Sequence, residues 1–349
     1  MSDFHALQVL SVDPLTPNSV ALTFDIPNPL KETFKFAAGQ YITLKKELNG
    51  QEVRRAYSIS SAPSSGKITV GIKKVPSGIF SIYANEHIAA GDTLEVMPPE
   101  GRFVFNSAEQ SKNILGFAAG SGITPIMSIA QTVLETNNSN RFVLVFGNQS
   151  PEETMYRKEL LALREKFPNR FYIQWLFSRS NESDALFGRI ENSTVNLVLK
   201  NKFKELDFDA FYLCGPEKMI NTVSDSLKNN GIAEEAILFE LFTASETSAN
   251  NVEGLDGQTK VTIVLDDEEQ DFTMSQKELV LDAVLKNDID APYSCQGGVC
   301  SSCIARVVEG KAEMVKNQIL TDSEIAEGLI LTCQAHAKTA TLKVDYDDV

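Results

Sequence analysis

The chain is poor in histidine, in tryptophan and in positive charge. Its 349 residues hold three histidines and one tryptophan, and 32 basic residues stand against 47 acidic ones. The histidines, His5, His87 and His336, form no cluster along the chain. Neither a Ser-His-Asp arrangement nor a carboxylate pair stands out for hydrolysis. A formal net charge of −15 has the wrong sign for a nucleic-acid binder or for docking on an anionic membrane. There is no run of 18 apolar residues, so no membrane-spanning helix is expected. The opening MSDFHALQVLSVD lacks the basic region and apolar core of a secretory signal, and the expectation is a cytoplasmic protein with reduced thiols.

What is present is an ordinary globular mix, 43% hydrophobic and 23% charged, long enough for two or three domains. The acid excess is uneven. From Ala249 onward there are 19 acidic and 8 basic residues, a net of −11, and four of the five cysteines. Both asymmetries point to a separate acidic module at that end.

Residues 1–106 read as short strands divided by turns at Asn49-Gly50, Ser65-Gly66, Pro76-Ser77-Gly78 and Ala90-Gly91-Asp92. Alternation in Val20–Phe24 and Tyr41–Leu44 favours an antiparallel β-barrel or sandwich. The pattern then changes to nearly continuous apolar runs, Ile114–Ala118, Phe142–Phe146, Phe171–Phe177 and Phe211–Leu213. Helical stretches separate them, which implies a doubly wound parallel sheet over 107–242. Thr124 can cap a helix with Pro125 at its first position. Ser150-Pro151-Glu152-Glu153 and Ser275-Gln276-Lys277-Glu278 have capping-box spacing, the second opening a helix through Lys286. Residues 243–259 are polar and unpatterned, a linker with a reach of roughly 20 Å. The last module is 260–349.

Cys295, Cys300, Cys303 and Cys333 have the spacing C-x4-C-x2-C-x29-C. Two irons bridged by two sulfides take four thiolates, and this spacing suits a plant-type [2Fe–2S] cluster. Gly297, Gly298, Ser301 and Ser302 are small enough to let a loop wrap it. A structural zinc site is the alternative, but zinc usually takes paired C-x2-C ligands, and Cys333 has no near neighbour. Tyr293–Cys303 and Leu331–Gln334 resemble the cluster loop and fourth-ligand segment of plant-type ferredoxins. The resemblance implies an α+β β-grasp fold.

Arg55-Ala56-Tyr57-Ser58 matches the R-x-Y-S/T signature of the ferredoxin–NADP reductase family. The resemblance implies that Arg55 pairs with a flavin pyrophosphate, that Tyr57 lies along the isoalloxazine, and that Ser58 faces flavin N5. It makes Gly78-Ile79-Phe80-Ser81 a second, backbone-rich phosphate cradle. An Arg and a Tyr on an exposed strand face would explain the first motif without a flavin. Gly120-Ser121-Gly122-Ile123-Thr124-Pro125 follows a strand and opens a helix, where backbone can approach a pyrophosphate. It resembles the NAD(P) loop of the same family, although a plain strand-to-helix turn would look alike.

Cys214-Gly215-Pro216-Glu217-Lys218-Met219 matches the family's C-G-x-x-x-M, whose cysteine lies near the nicotinamide. A buried apolar Cys is the plainer alternative. Glu240-Leu241-Phe242 resembles the closing segment, where an acid sits by the nicotinamide and an aromatic covers the flavin. Plant members carry Tyr where this chain has Phe242, so stacking survives and any hydroxyl role does not. Ser178-Arg179 stands where NADPH-using members bind the 2′-phosphate, a task that suits Arg. NADPH is therefore expected, with NADH possible.

Together the modules resemble oxygenase reductases made of a flavin barrel, a nicotinamide domain and a C-terminal ferredoxin. The resemblance implies FAD, although phthalate dioxygenase-type members use FMN. It implies Ser58, Cys214 and Glu240 at the reacting centre and electron delivery to an oxygenase component presenting a basic face. Arg55–Ser60 and Leu331–Gln334 look most like reductase subunits of phenylacetyl-CoA epoxidases. Reductases of ketosteroid hydroxylases, other ring-hydroxylating oxygenases or hybrid-cluster proteins remain alternatives, as does a redox sensor without turnover.

Overall fold

In a computed structural model, the described residues are 4–106, 112–242 and 257–349. The chain divides into two compact units, one formed by His5–Val53 and Tyr57–Phe242, the other mainly by the C-terminal residues. Residues 243–256, most of the expected linker, lie outside the described residues.

The first unit begins with β1 (His5–Thr16), β2 (Ser19–Phe24), β3 (Tyr41–Leu48), β4 (Gln51–Ser58), β5 (Ile68–Lys73), helix α1 (Ile79–Glu86) and β6 (Thr93–Val96). The strands form one sheet in the order β4-β3-β6-β1-β2-β5. An antiparallel bridge from Ile59 to Val70 joins its two ends, which removes the open edges and closes a barrel. Leu7, Leu22, Ile42, Leu44, Val70 and Phe80 fill it. The alternation in β2 is one of faces and not of exposure, for all six of its residues are buried. Val20, Leu22 and Phe24 face the barrel core, whereas Ala21 joins the core of the following domain.

That domain contains β7 (Asn113–Ala119), α2 (Ile123–Thr136), β8 (Arg141–Asn148), α3 (Arg157–Lys166), β9 (Phe171–Phe177), β10 (Ala185–Phe187), α4 (Asn192–Leu197), β11 (Ala210–Gly215), α5 (Glu217–Asn229) and β12 (Ile237–Leu241). All five strand pairings are parallel, in the order β10-β9-β8-β7-β11-β12. The chain winds outward from β7 and then returns to β11. The carboxyl ends of β7 and β11 therefore flank the switch point, where open α/β sheets hold ligands.

Two helix starts differ from the sequence reading here. Helix α2 begins at Ile123, after a 3-10 turn at Gly120–Gly122. Thr124 and Pro125 thus lie within its first turn, and Thr124 Oγ1 donates to the Ser121 carbonyl at 3.0 Å. Helix α3 begins at Arg157 and not at Ser150. The Ser150 carbonyl accepts from Thr154 Oγ1 at 2.8 Å; local side-chain bonding here makes a turn instead of a helix cap.

The second unit contains β13 (Gln258–Leu265), β14 (Glu268–Ser275), α6 (Val280–Lys286), β15 (Ile304–Glu309), β16 (Ala312–Met314), α7 (Asp322–Ala326), β17 (Leu329–Leu331), β18 (Ala335–Ala337) and β19 (Thr341–Asp345). Its mixed sheet runs β14-β13-β19-β15-β17, with β13 and β19 parallel. Packing α6 against this sheet gives the expected β-grasp plan. Ser275 ends β14 rather than capping a helix, and α6 starts five residues later at Val280.

Candidate functional site

The barrel strand carrying the Arg55–Ser58 motif ends against the parallel sheet. Ser58 is buried, and its Oγ donates to Glu240 Oε2 at 2.9 Å. Glu240, on β12, is the register partner of Cys214 on β11. Three residues separated by up to 182 positions thus meet at the switch point. Burial pushes the Glu240 carboxyl up to about 8, against the opposing pull of the Ser58 hydrogen bond. Burial, with Glu240 adding to it, also raises the Cys214 thiol, which keeps it protonated.

The glycines of the loop explain how the backbones come this close. A Cβ on Gly122 would lie 2.1 Å from the Cys214 carbonyl oxygen. One on Gly215 would lie 3.2 Å from Ala119 Cβ. Gly120 adopts φ 56°, a conformation costly for other residues. The loop Gly120–Pro125 and the Cys214-Gly215 corner are therefore one packed surface at the amino end of α2. That arrangement leaves backbone N–H groups at a helix start, the chemistry that receives a dinucleotide pyrophosphate.

The residues expected to meet a flavin lie on β4, at the start of α1 and just beyond β12. Tyr57 is half-buried, with its ring centroid 5.7 Å from that of Phe80. Phe80 points into the barrel core, so it can serve a phosphate only through its backbone. Gly78 precedes α1, and a Cβ there would lie 2.4 Å from Ser81 Oγ. This close cradle with Ile79 at the helix start fits a phosphate. Arg55 is exposed on β4 and Ala56 follows it. Phe242, just beyond β12, is 37% exposed, an apolar ring free to cover a planar ligand. Ser178 and Arg179 follow β9, and their amides donate to the Asn148 and Gln149 carbonyls. The Arg179 side chain is exposed.

Two groups escaped the sequence reading. Lys73 Nζ lies 3.9 Å from the open side of Gly120, taken at its absent Cβ. With Lys74, Glu86, Gln149 and Glu153 it lines a cavity of about 520 Å³. Its only signal was a Lys-Lys pair closing a strand. The second group is Tyr156 with Ser60, which no local pattern marks.

In the C-terminal unit, the four thiols gather as two pairs. The hydrogen bond from Cys300 lowers the Cys295 thiol below the ordinary cysteine range, against the opposing effect of burial. Bonding to Cys333 and burial raise Cys303. Among the described residues, no three ligand-type side chains converge on one point. Two thiolates for each of two irons suit a [2Fe–2S] cluster better than one tetrahedral zinc. The Gly297 amide donates to Cys295 Sγ at 3.3 Å, and Val299 and Cys300 amides also serve that sulfur. Gln334 Nε2 donates to the Gln296 carbonyl at 3.1 Å, tying the fourth-ligand segment to the loop. Gly298, at φ 71°, leaves room for that side chain.

Three family models match the chain in register with this architecture. They are the oxidoreductase FAD-binding domain at residues 6–105, the oxidoreductase NAD-binding domain at 117–225 and the 2Fe-2S iron-sulfur cluster binding domain at 263–338. The chain belongs to the family of oxygenase reductase components that join these three domains, and it is an NAD(P)H oxidoreductase.

Among curated relatives, it is 38% identical to a subunit of the 1,2-phenylacetyl-CoA epoxidase of Escherichia coli (strain K12), over 99% of both chains. It is 32% identical to the 3-ketosteroid-9-alpha-monooxygenase ferredoxin reductase component of Rhodococcus rhodochrous, over 97% of this chain and 96% of that one. The fold is shared with phthalate dioxygenase reductase, at TM-score 0.62, 23% identity and 98% coverage of each chain. A type IV self-sufficient cytochrome P450 monooxygenase matches at TM-score 0.72 and 19% identity, over 98% of this chain and 41% of that one. No helix among the described residues is long and apolar enough to cross a membrane.

Proposed function

We propose that the protein draws electrons from NADPH, and less well from NADH, and delivers them to the oxygenase component of a phenylacetyl-CoA epoxidase. The Ser58–Glu240 bond beside Cys214 carries this reading of the electron path. The acceptor is supported by 38% identity across the whole chain to the Escherichia coli epoxidase component. When bound, NAD(P)H supplies hydride, FAD divides the electron pair, and the cluster passes single electrons.

The chain's own residues bind and orient these groups. Arg55, Ala56 and the Gly78–Ser81 cradle hold the flavin phosphates, with Tyr57 and Phe242 on its ring. Gly120, Gly122, Thr124 and Pro125 shape the pyrophosphate loop, with Lys73 as its counter-charge. Ser178 and Arg179 take the 2′-phosphate. Cys214 and Gly215 shape the nicotinamide end, while Ser58 and Glu240 hold a proton there. Cys295, Cys300, Cys303 and Cys333 hold the cluster.

The modules run 1–106, 107–242 and 260–349, with 243–259 as a linker that keeps the cluster at an effective concentration of order millimolar. The protein works in the cytoplasm, and its acidic last module meets a basic face on the oxygenase. A ketosteroid monooxygenase is the second reading, supported by the 32% relative.

The test is reconstitution with each oxygenase under NADPH. Phenylacetyl-CoA consumption coupled to NADPH oxidation is expected. Turnover with the ketosteroid enzyme alone would favour the second reading. Substituting Arg179→Ala should weaken NADPH roughly 30-fold, about 2 kcal/mol, with little change for NADH. Equal loss for both in a binding titration would remove the 2′-phosphate assignment.

A further inference from the structure

The segment carrying Ser58 is held to the nicotinamide domain at a second point. Ser60, two residues on, is buried, and its Oγ lies 2.8 Å from Tyr156 Oη. Ser60 commits its single hydroxyl proton to the Thr69 carbonyl at 3.0 Å, so Tyr156 is the donor. Burial raises the Tyr156 hydroxyl far above the ordinary tyrosine range, so it stays a donor at every working pH. A third tie comes from Ser128 on α2, whose Oγ donates to the Ser61 carbonyl at 2.6 Å.

Tyr156 is also held in an uncommon backbone state. It stands just before α3 at φ 58°, ψ 20°, the left-handed region that a bulky residue seldom adopts. Such strain persists where surrounding structure enforces it, often at functional junctions. The barrel surface that receives the ring is built from small residues. A Cβ on Gly71 would lie 2.7 Å from Tyr156 Oη and 2.8 Å from Thr124 Cγ2. Ala21 is the register partner of Gly71 and shares an apolar cluster with Met155 and Tyr156. At Gly71 the tyrosine and the first turn of α2 thus seat on the barrel side by side.

We propose that Tyr156 is a positioning residue whose hydroxyl sets the spacing between the Ser58 strand and the Gly120–Pro125 loop. That spacing governs how closely a nicotinamide meets a flavin. The proposal rests on the reading that hydride passes between NAD(P)H and FAD at this junction. The ring fills the dent on the barrel in either case; the hydroxyl fixes the register.

The experiment compares holoenzyme carrying Tyr156→Phe with wild type in anaerobic stopped flow. The limiting rate of flavin reduction by NADPH should fall about 10-fold, because small misplacements of reacting groups are costly. The half-saturating NADPH concentration should move less than about twofold, and dithionite reduction of flavin and cluster should be unchanged. In cofactor-free protein, amides of residues 58–61 and 120–124 should exchange faster in the variant.

Ser60→Ala should reproduce the effect, and the double variant should be no slower than either single one. A limiting rate within about twofold of wild type, additive losses or an equal fall in dithionite reduction would overturn the proposal. If Tyr156→Phe does not fold, Ser60→Ala decides by the same criteria. Wild-type flavin that neither NADPH nor NADH reduces would instead sink the electron-path reading, which keeps the two failures apart.

Discussion

A carboxyl pushed up to about 8 holds its proton through most of the neutral range, so Glu240 presents a proton and not a charge beside Ser58 and Cys214. Its pKa is raised in the folded state, so the folded state binds more protons between the unfolded value near 4.5 and about 8. Stability from this group is fully present below about 4.5 and is lost as pH rises through about 8. Glu240→Gln keeps the shape and removes the titration. Thermal unfolding of wild type should therefore weaken from about pH 5 to about pH 8.5, while the variant shows a flatter profile there. Parallel profiles would mean that Glu240 is not the titrating group.

Among the elements, the turn between β7 and α2 depends most on its sequence. A methyl at Gly122 would collide with backbone, 2.1 Å from the Cys214 carbonyl oxygen and 2.8 Å from the Gly215 nitrogen. Backbone cannot swing aside as a side chain does. Gly122→Ala should cost about 3 kcal/mol and lower Tm by roughly 6–12 °C. It should also abolish tight NADPH binding; calorimetric unfolding and a binding titration check both.

This turn was legible in the sequence because glycine spacing and an apolar run are local signals. The 2Fe-2S domain was legible for the same reason, with three of its four cysteines inside nine residues. The false helix starts at Ser150 and Ser275 have the opposite origin. At Ser275 the hydroxyl accepts from the Lys277 amide, and at Ser150 the carbonyl accepts from the Thr154 hydroxyl; both are turn bonds, so the motif alone does not choose. Tyr156 left no mark because its partner Ser60 lies 96 positions away. The meeting of Ser58, Cys214 and Glu240 came from family resemblance; chain position alone shows nothing of it.

For the whole molecule, charge is distributed with purpose. The net of −11 from Ala249 onward falls on the module that holds the cluster, while the rest of the chain is nearly balanced. The basic acceptor face proposed above would meet this module by steering over a screening length of about 8 Å at physiological salt. Second-order electron delivery from the reduced protein should fall about fivefold between about 0.05 and about 0.3 M salt. Hydride uptake at the flavin should respond much less. Stopped-flow traces at the two salts separate the steps, and equal sensitivity would refute acidic steering.

The two thiol pairs differ in how they are made. Cys295 and Cys300 sit on one loop, available as soon as that loop is synthesised. Cys303 and Cys333 meet only when β15 and β17 pair, as Ile304 opposite Leu331 and the Thr332 amide on the Cys303 carbonyl show. Tyr346, near the C-terminus, braces the same corner through Thr332 Oγ1 at 3.0 Å. The second pair therefore depends on strand pairing and not on the loop alone: a copy in which β15 and β17 fail to pair keeps Cys295 beside Cys300 but does not bring Cys333 to Cys303.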